Sequence, residues 1–381
     1  MNINSKKRGV QLTYEQKISW LRLIRSDNVG PLTFRDMINY FGSAEQAIEM
    51  IPELSRKGGN TKKIRVCSRE EAEREIEIAE SFGANFVFLS ESNYPPALRY
   101  IDYPPPILAV KGNIQIASTK PSVGIVGTRN PSISGIKFTE KIAQEIGMEG
   151  YTIVSGLAIG IDTAAHRASL KTGTIVVMAG GLDRAYPPEN LNILEEIWNN
   201  EGVAVSEMPF GLEPRAHDFP RRNRIIAGIG LGLIVIEAAK RSGSLITSRL
   251  AGEFGRLVFA VPGSPLDPRC EGTNQLIKDG AILITSSCDV LQMLQPQIEK
   301  NFFSSPCYSN PVTDIKITNY PECNQDERMK ISQSLNNVPI HVDDIIHHTG
   351  IDAPIVYLVL LELDLAGRLC HHPGGMVSLT M

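Results

Sequence analysis

The sequence predicts an α/β protein: a doubly wound, mostly parallel sheet, preceded by a helical domain and followed by a small helical domain. Three observations carry this. Between residues 85 and 293, nine short apolar runs alternate with helical stretches, and most of the runs are rich in Val and Ile without polar alternation, as expected of strands covered on both faces. Pro296, Pro306, Pro311 and Pro321, set among Ser and Asn residues, have the composition of a linker. The segments flanking this core place their apolar residues at helical spacing. The domains read as 1–80 (helical), 85–295 (sheet), 296–330 (linker) and 331–381 (tail).

In order along the chain, residues 13–80 read as short amphipathic helices. Ile18, Leu21 and Ile24 recur at helical spacing, and Met37, Ile38, Tyr40 and Phe41 form a second stripe. Between them, Asn28-Val29-Gly30-Pro31 is a tight turn entering a helix. The expected strands are Phe86–Leu89, Ile107–Val110, Val123–Val126, Thr152–Val154, Thr174–Met178, Val203–Val205, Leu233–Ile236, Leu257–Val261 and Ile282–Ile284. The tail carries a helix, a turn, a helix over Ala353–Ala366 and a short hairpin at His372-Pro373-Gly374-Gly375-Met376, the order of a winged helix.

The length of 381 residues suits two or three domains. A net charge of −4 gives no bulk attraction to nucleic acid, so a polyanion site has to be a local patch. Cys67, Cys270, Cys288, Cys307, Cys323 and Cys370 are scattered with no CxxC pair, which speaks against zinc and disulfide frameworks and for a reducing cytosol. No apolar run approaches the roughly 18 residues of a membrane span, and neither a span nor a signal peptide is expected.

Sheets of this kind bind ligands at the carboxyl ends of their strands, and here those loops concentrate Gly, Ser and Arg. Gly127-Thr128-Arg129 leaves the third run, where a helix start offers free amides to an anion. Ser155-Gly156-Leu157-Ala158-Ile159-Gly160-Ile161-Asp162 leaves the fourth. Asp162 and His166 lie i, i+4 on the next helix; they read either as a general base with its orienting carboxylate or, as favoured here, as a packing pair at a helix start. Arg221, Arg222 and Arg224 crowd a helix entrance with Arg215 upstream and Asp218 beside them. Close guanidiniums repel one another until an anion fills the space, and their forked donors match phosphate oxygens. Ser242-Gly243-Ser244 has the makings of a phosphate nest, although N-capping by Ser accounts for part of it. A carboxylate pair, a metal-ligand cluster and a Walker lysine are all missing from these loops. The edge is fitted to hold phosphates without cleaving them.

The order of these motifs, with Asn93-Tyr94-Pro95 upstream, Gly180-Gly181-Leu182-Asp183 between them and Asn274-Gln275-Leu276-Ile277 downstream, resembles the bacterial DNA-processing protein A family, also called Smf. The resemblance spans essentially the whole chain and is strongest over 85–293. It implies an extended Rossmann-like sheet with a SAM-like N-terminal domain and a winged-helix-like C-terminal domain. It further implies a cytoplasmic, dimeric protein of natural transformation, without cofactor or catalytic step, that binds and protects incoming single-stranded DNA and helps load the recombinase RecA. The family's strand pocket falls on Arg129, Ser155, Gly156, Arg221, Arg222 and Arg224, and its dimer and recombinase surfaces fall around Asn274–Leu283.

On this reading Arg129 and the 221–224 cluster neutralise successive phosphates, the amides at Ser155-Gly156 and Ser242–Ser244 add neutral donors, and Phe219 is the candidate stacking platform, with a core-packed Phe as the alternative. The rival is an enzyme of the lysine-decarboxylase-like phosphoribohydrolase group, whose Pro-Gly-Gly-x-Gly-Thr loop is replaced here by Val261-Pro262-Gly263-Ser264 and Glu271-Gly272-Thr273. Residues 1–75 hold 14 Lys/Arg against 10 Asp/Glu. That surplus and the Val29-Gly30-Pro31 turn suit either a helix-hairpin-helix unit on DNA or a helical interaction module. The tail is acidic, with Lys330 and Arg368 against Asp343, Asp344, Asp352, Glu362 and Asp364. A duplex-reading helix should be basic, so the tail is expected to contact protein. Its five histidines (His341, His347, His348, His371, His372) are expected to be solvated rather than metal-bound.

Overall fold

Each of the nine apolar runs is a strand, within two residues of its expected bounds: β1 Asn85–Phe88, β2 Ile107–Gly112, β3 Ser122–Val126, β4 Thr152–Ser155, β5 Thr174–Val177, β6 Gly202–Ser206, β7 Gly232–Val235, β8 Leu257–Ala260 and β9 Ile282–Leu283. The computed structural model describes residues 10–299, 323–372 and 374–380. The strands form one sheet in the order β1-β2-β6-β5-β4-β3-β7-β8-β9. From β6 to β9 every neighbouring pair is parallel, and β2 joins β1 and β6 antiparallel. The chain winds outward from β3 to β6, then returns to β7 on the other side of β3 and winds outward again. That reversal places a topological switch point between β3 and β7, where open sheets form a ligand crevice.

The apolar runs lack alternation because both faces are covered. Ile125 joins Ile153, Ile234, Phe259 and the helix residues Ile142 and Ile146 on one side. Its neighbour Val126 joins Val154, Val177, Val205, Val235 and the helix residues Ile225, Ile226 and Ile229 on the other. The second helix, Asp218–Ile229, carries the arginine cluster at its start. Its apolar half is thus anchored in the core while its first turn lies at the strand ends.

The described chain divides into two units. One is the sheet with its helices; the other combines the N-terminal helices, from Leu12 to Arg74, with the C-terminal domain. In this second unit the helices Tyr14–Ile24, Pro31–Phe41 and Ala44–Lys57 enclose Ile18, Trp20, Leu21, Met37, Phe41 and Ile51. Thr13 opens the first helix with a capping box closed by Gln16, and Asn28, at φ 59°, and Gly30 make the expected turn. The C-terminal domain runs helix Gln325–Ser334, β10 Ile340–His341, helix Val342–Thr349, helix Ala353–Leu365, β11 Leu369–His372 and β12 Met376–Leu379, with strand order β10-β12-β11. This is the winged-helix order. The expected linker is shorter than 296–330, because helices Ser287–Glu299 and Gln325–Ser334 occupy both of its ends; residues 300–322, with Cys307, lie outside the described residues. No group of three His, Cys, Asp or Glu among the described residues could hold a metal, and no described helix is long and apolar enough to cross a membrane.

Candidate functional site

The loops after β3, β4 and β5 and the start of the Asp218–Ile229 helix meet around a cavity of about 170 Å³. Arg129, Gly156, Ala158, Ile159, Tyr186, Pro187, Pro188, Glu189 and Phe219 line it. Phe219 is half-buried, its ring edge-on to Tyr186 at 5.6 Å between centroids. The Arg129 guanidinium lies 5.8 Å from the same ring. Arg129 is exposed and makes no ion pair among the described residues. An unpaired cation, two aromatic rings and a concave wall therefore share one mouth.

The arginine cluster divides by residue. Arg222 is 5% exposed. It donates through Nη1 to the Gly156 carbonyl at 2.6 Å and to the Val177 carbonyl, and through Nε to Asn223 Oδ1 at 3.1 Å. Burial pushes its pKa down to about 10, opposed by the nearby Asp162 carboxylate, so it is cationic at neutral pH and directed inward. Arg224 has a side chain only 13% exposed and pairs with Glu207 and the Tyr103 carbonyl. Arg221 has its Nε 3.2 Å from the other Glu207 oxygen but keeps a side-chain exposure of 47%. The expected row of three free guanidiniums is corrected accordingly: Arg222 holds loops together, Arg224 is matched to a buried carboxylate, and Arg221 faces solvent. Pairing Arg221 and Arg224 with one buried carboxylate offsets part of the repulsion that three free guanidiniums would carry.

The glycine at 156 follows from this. A Cβ there would lie 2.8 Å from the Arg222 guanidinium, so only glycine leaves room for the buried cation. The expected free donors at Ser155-Gly156 are used inside the protein: Ser155 is buried and its hydroxyl donates to the Ile125 carbonyl at 2.6 Å, and the Gly156 amide donates to Asp162 Oδ2 at 3.1 Å. The helix start after Arg129 is likewise occupied. Ser132 caps the helix Ile133–Met148, and its amide donates to the buried Glu237 carboxylate at 2.9 Å. The protein's own anion sits where a phosphate was expected. At Ser242-Gly243-Ser244 the capping reading holds: Ser242 Oγ accepts from the Ser244 amide at 3.3 Å and lies 2.7 Å from Ser244 Oγ. Gly243 is exposed with open space about it, and its carbonyl accepts from Asn223 Nδ2 at 3.5 Å.

His166 is fully buried, with Nδ1 2.7 Å from Thr174 Oγ1. Burial and the Arg222 charge drive its pKa down to about 3. It is neutral and buried, which speaks against general-base chemistry, but the expected Asp162–His166 pair is corrected: among the described residues His166 bonds Thr174 and Asp162 bonds the loop amides. Asp162 accepts from the Gly156 and Ala158 amides, and burial raises its pKa against the pull of Arg222. Asn274 is tied to Gly263 through both amide atoms, at 3.2 and 3.0 Å. Leu283 is 48% exposed on the edge strand β9.

Sequence reasoning missed Tyr186 and Glu189 in the cavity wall and Glu207 and Glu237 as internal counter-ions. The Tyr186-Pro187-Pro188 run, an aromatic beside two prolines in a strand-end loop, was a usable signal for the first. The two glutamates lie among apolar neighbours just past β6 and β7, and a charge at the end of a buried strand calls for a partner.

Comparison with known proteins decides the family. Residues 85–295 match the model of DNA recombination-mediator protein A, residues 14–78 a DprA-like N-terminal HHH domain and residues 321–375 a DprA winged helix domain. The chain belongs to the DNA recombination-mediator protein A family. It is 32% identical to Protein Smf of Synechocystis sp. over 93% of this chain and 96% of that one. Among solved structures, DNA processing protein A of Streptococcus pneumoniae aligns with a TM-score of 0.60 and 36% identity, covering 74% of this chain and 98% of that chain. DNA processing protein A of Helicobacter pylori, a protein described for its single-stranded DNA binding mode, aligns at 0.51 and 28% identity over 56% and 96%. Family membership accounts for the order of the strand-end motifs in this chain, and the divided arginine cluster is the form those motifs take here.

Proposed function

We propose that this chain binds single-stranded DNA at the crevice beside Arg129, Phe219 and Tyr186, with no bond made or broken. The observation that carries the reading is the unpaired Arg129 guanidinium beside an accessible aromatic pair. A cation for phosphate and a ring face for a base are the two needs of sequence-tolerant strand binding. Arg221 continues the cationic rim. Arg222, Arg224, Ser155 and Gly156 serve by fixing the loops that carry these two groups, and the exposed Gly243 amide region between Ser242 and Ser244 is a second, neutral contact. The strand-binding H. pylori relative supports the same reading. Protection of incoming strands in the cytoplasm during transformation and delivery to a RecA recombinase belong to this proposal, as does a homodimer through the face around Asn274–Leu283.

The enzyme reading lacks support: the phosphoribohydrolase loop Pro-Gly-Gly-x-Gly-Thr is replaced in this chain, His166 is buried and neutral, and His217, at the start of the helix that carries Phe219, is exposed beside Asp218. A cavity of about 170 Å³ is also below the roughly 300 Å³ of ordinary small-ligand pockets, while it suits one base of a strand that continues outside.

The test is a fluorescence titration with a single-stranded oligonucleotide. Arg129→Glu is expected to weaken binding most, and Phe219→Ala is expected to cost about 1–3 kcal/mol. Wild-type affinity in both variants would remove the crevice from the interface.

A further inference from the structure

The C-terminal domain has a winged-helix order, and in that fold the third helix is the one that reads the major groove. Here that helix, Ala353–Leu365, is buried on two faces. Val356, Val359, Leu360 and Leu363 enter the domain's own core with Ile331, Ile345 and Val377. Leu358, Leu361 and Leu365 are also buried but stand outside that core, at i, i+3 and i+7. The N-terminal helices Ala44–Lys57 and Pro31–Phe41 pack along this helix within the same unit.

The contact is made by backbone as well as side chains. A Cβ on Gly58 would stand 1.9 Å from the Glu362 carbonyl oxygen. Gly58 has φ −70°, which any residue adopts, so close approach alone requires glycine there. Arg368 Nη1 donates to the Gly58 carbonyl at 3.0 Å. Asn28 Nδ2 donates to the Leu365 carbonyl at 2.9 Å, and Ser55 Oγ reaches the same oxygen at 3.3 Å. Thr33 Oγ1 donates to Asp364 at 2.6 Å. Asn28 and Thr33 belong to the helix-hairpin-helix turn and the helix it enters. The turn that could meet a DNA backbone and the helix that could read a groove are therefore pressed against each other.

We infer that the two terminal domains act as one clasp, in which the winged helix takes the protein's own N-terminal helical hairpin as its partner and neither element meets duplex DNA. The acidic residues of the reading helix fit this role. Glu362 is buried and held by Arg328 through two bonds of 2.6 and 3.0 Å, and Asp364 accepts from Thr33; both carboxylates are assigned to protein contacts. The inference rests on contacts within one unit and holds whether or not the crevice binds a strand.

Hydrogen exchange on the full chain tests it, following peptides that cover residues 28–36 and 353–365, with and without a duplex oligonucleotide. The clasp predicts slow exchange in both peptides and no change when duplex is added. Gly58→Leu, which wedges the joint at its tightest point, should speed exchange in both together by tenfold or more. Should that variant fold poorly, Asn28→Gly keeps the left-handed turn, removes one bond across the joint and should raise exchange in both peptides by a smaller factor. Unchanged exchange in the folded variants, a response confined to one peptide, or protection of either peptide by duplex in the wild type would each overturn the clasp.

Discussion

Arg222 shows how residue type and residue role separate. In sequence it is one of three equivalent cations; in the fold it is a buried strut between the Gly156 and Val177 carbonyls. Its removal leaves the buried Gly156 and Val177 carbonyls without the donor that holds them, and a buried polar group left unsatisfied costs about 1–3 kcal/mol. Arg222→Met is therefore expected to lower unfolding free energy by that order in urea, whereas Arg221→Met, at a half-exposed ion pair, should change it by less than about 1 kcal/mol. Equal, small effects would return Arg222 to the surface. His166 provides a second check. Its folded pKa of about 3 lies below the ordinary 6.5, so on acidification the unfolded chain takes up the proton first. Its contribution is full above pH 6.5 and is lost as pH falls toward 3, at up to about 1.4 kcal/mol per pH unit. The raised carboxyl of Asp162 works in the opposite sense, so the quantity to measure is the difference between wild type and His166→Gln. Their stabilities should converge on moving from pH 7 to pH 5, and a constant difference would mean that the imidazole is not held neutral.

At the scale of elements, β9 is one edge of the sheet, two residues long with Leu283 half exposed. An open edge invites pairing with another chain. In the proposed dimer, Leu283→Arg should shift the protein to monomer in analytical ultracentrifugation and leave the melting temperature within a few degrees; an unchanged mass would move the interface elsewhere. The elements themselves were legible because hydrophobic pattern and turn residues fix them: nine Val/Ile-rich runs gave nine strands, and the Asn28–Pro31 turn marked a helix boundary. The site was legible only in part. Strand-end loops follow from the sheet, so Arg129 and Phe219 could be placed at the crevice. Which arginine is buried depends on carboxylates far along the chain, with Glu207 14 residues before Arg221 and Asp162 60 before Arg222, and no local pattern encodes such pairings. The joint between Gly58 and Glu362 was invisible for the same reason: it unites residues some 300 positions apart, and in sequence each flanking domain looks self-sufficient.

For the whole molecule, the decisive quantity is how many phosphates a chain of net charge −4 can neutralise. Electrostatic affinity for a single strand falls with salt by about 0.7 per phosphate contacted in log–log slope. If all four crevice arginines met phosphate, one protomer would give a slope near −2.8. With Arg222 buried and Arg224 matched to Glu207, only Arg129 and the half-exposed Arg221 remain, and the slope should lie near −1.4 per protomer. Arg129→Gln should reduce it by about 0.7, while Arg224→Gln should leave it unchanged and act instead on stability, because it strips Glu207 of its closest cation. A weak slope places more of the affinity in the non-electrostatic contact at Phe219 and Tyr186, which a duplex cannot make with its bases stacked. Single-stranded over duplex preference should therefore widen as salt rises, and the measurement is competition between the two oligonucleotides at two ionic strengths. A preference that instead vanishes at high salt would mean that charge alone discriminates, and the aromatic crevice would have no part in recognition.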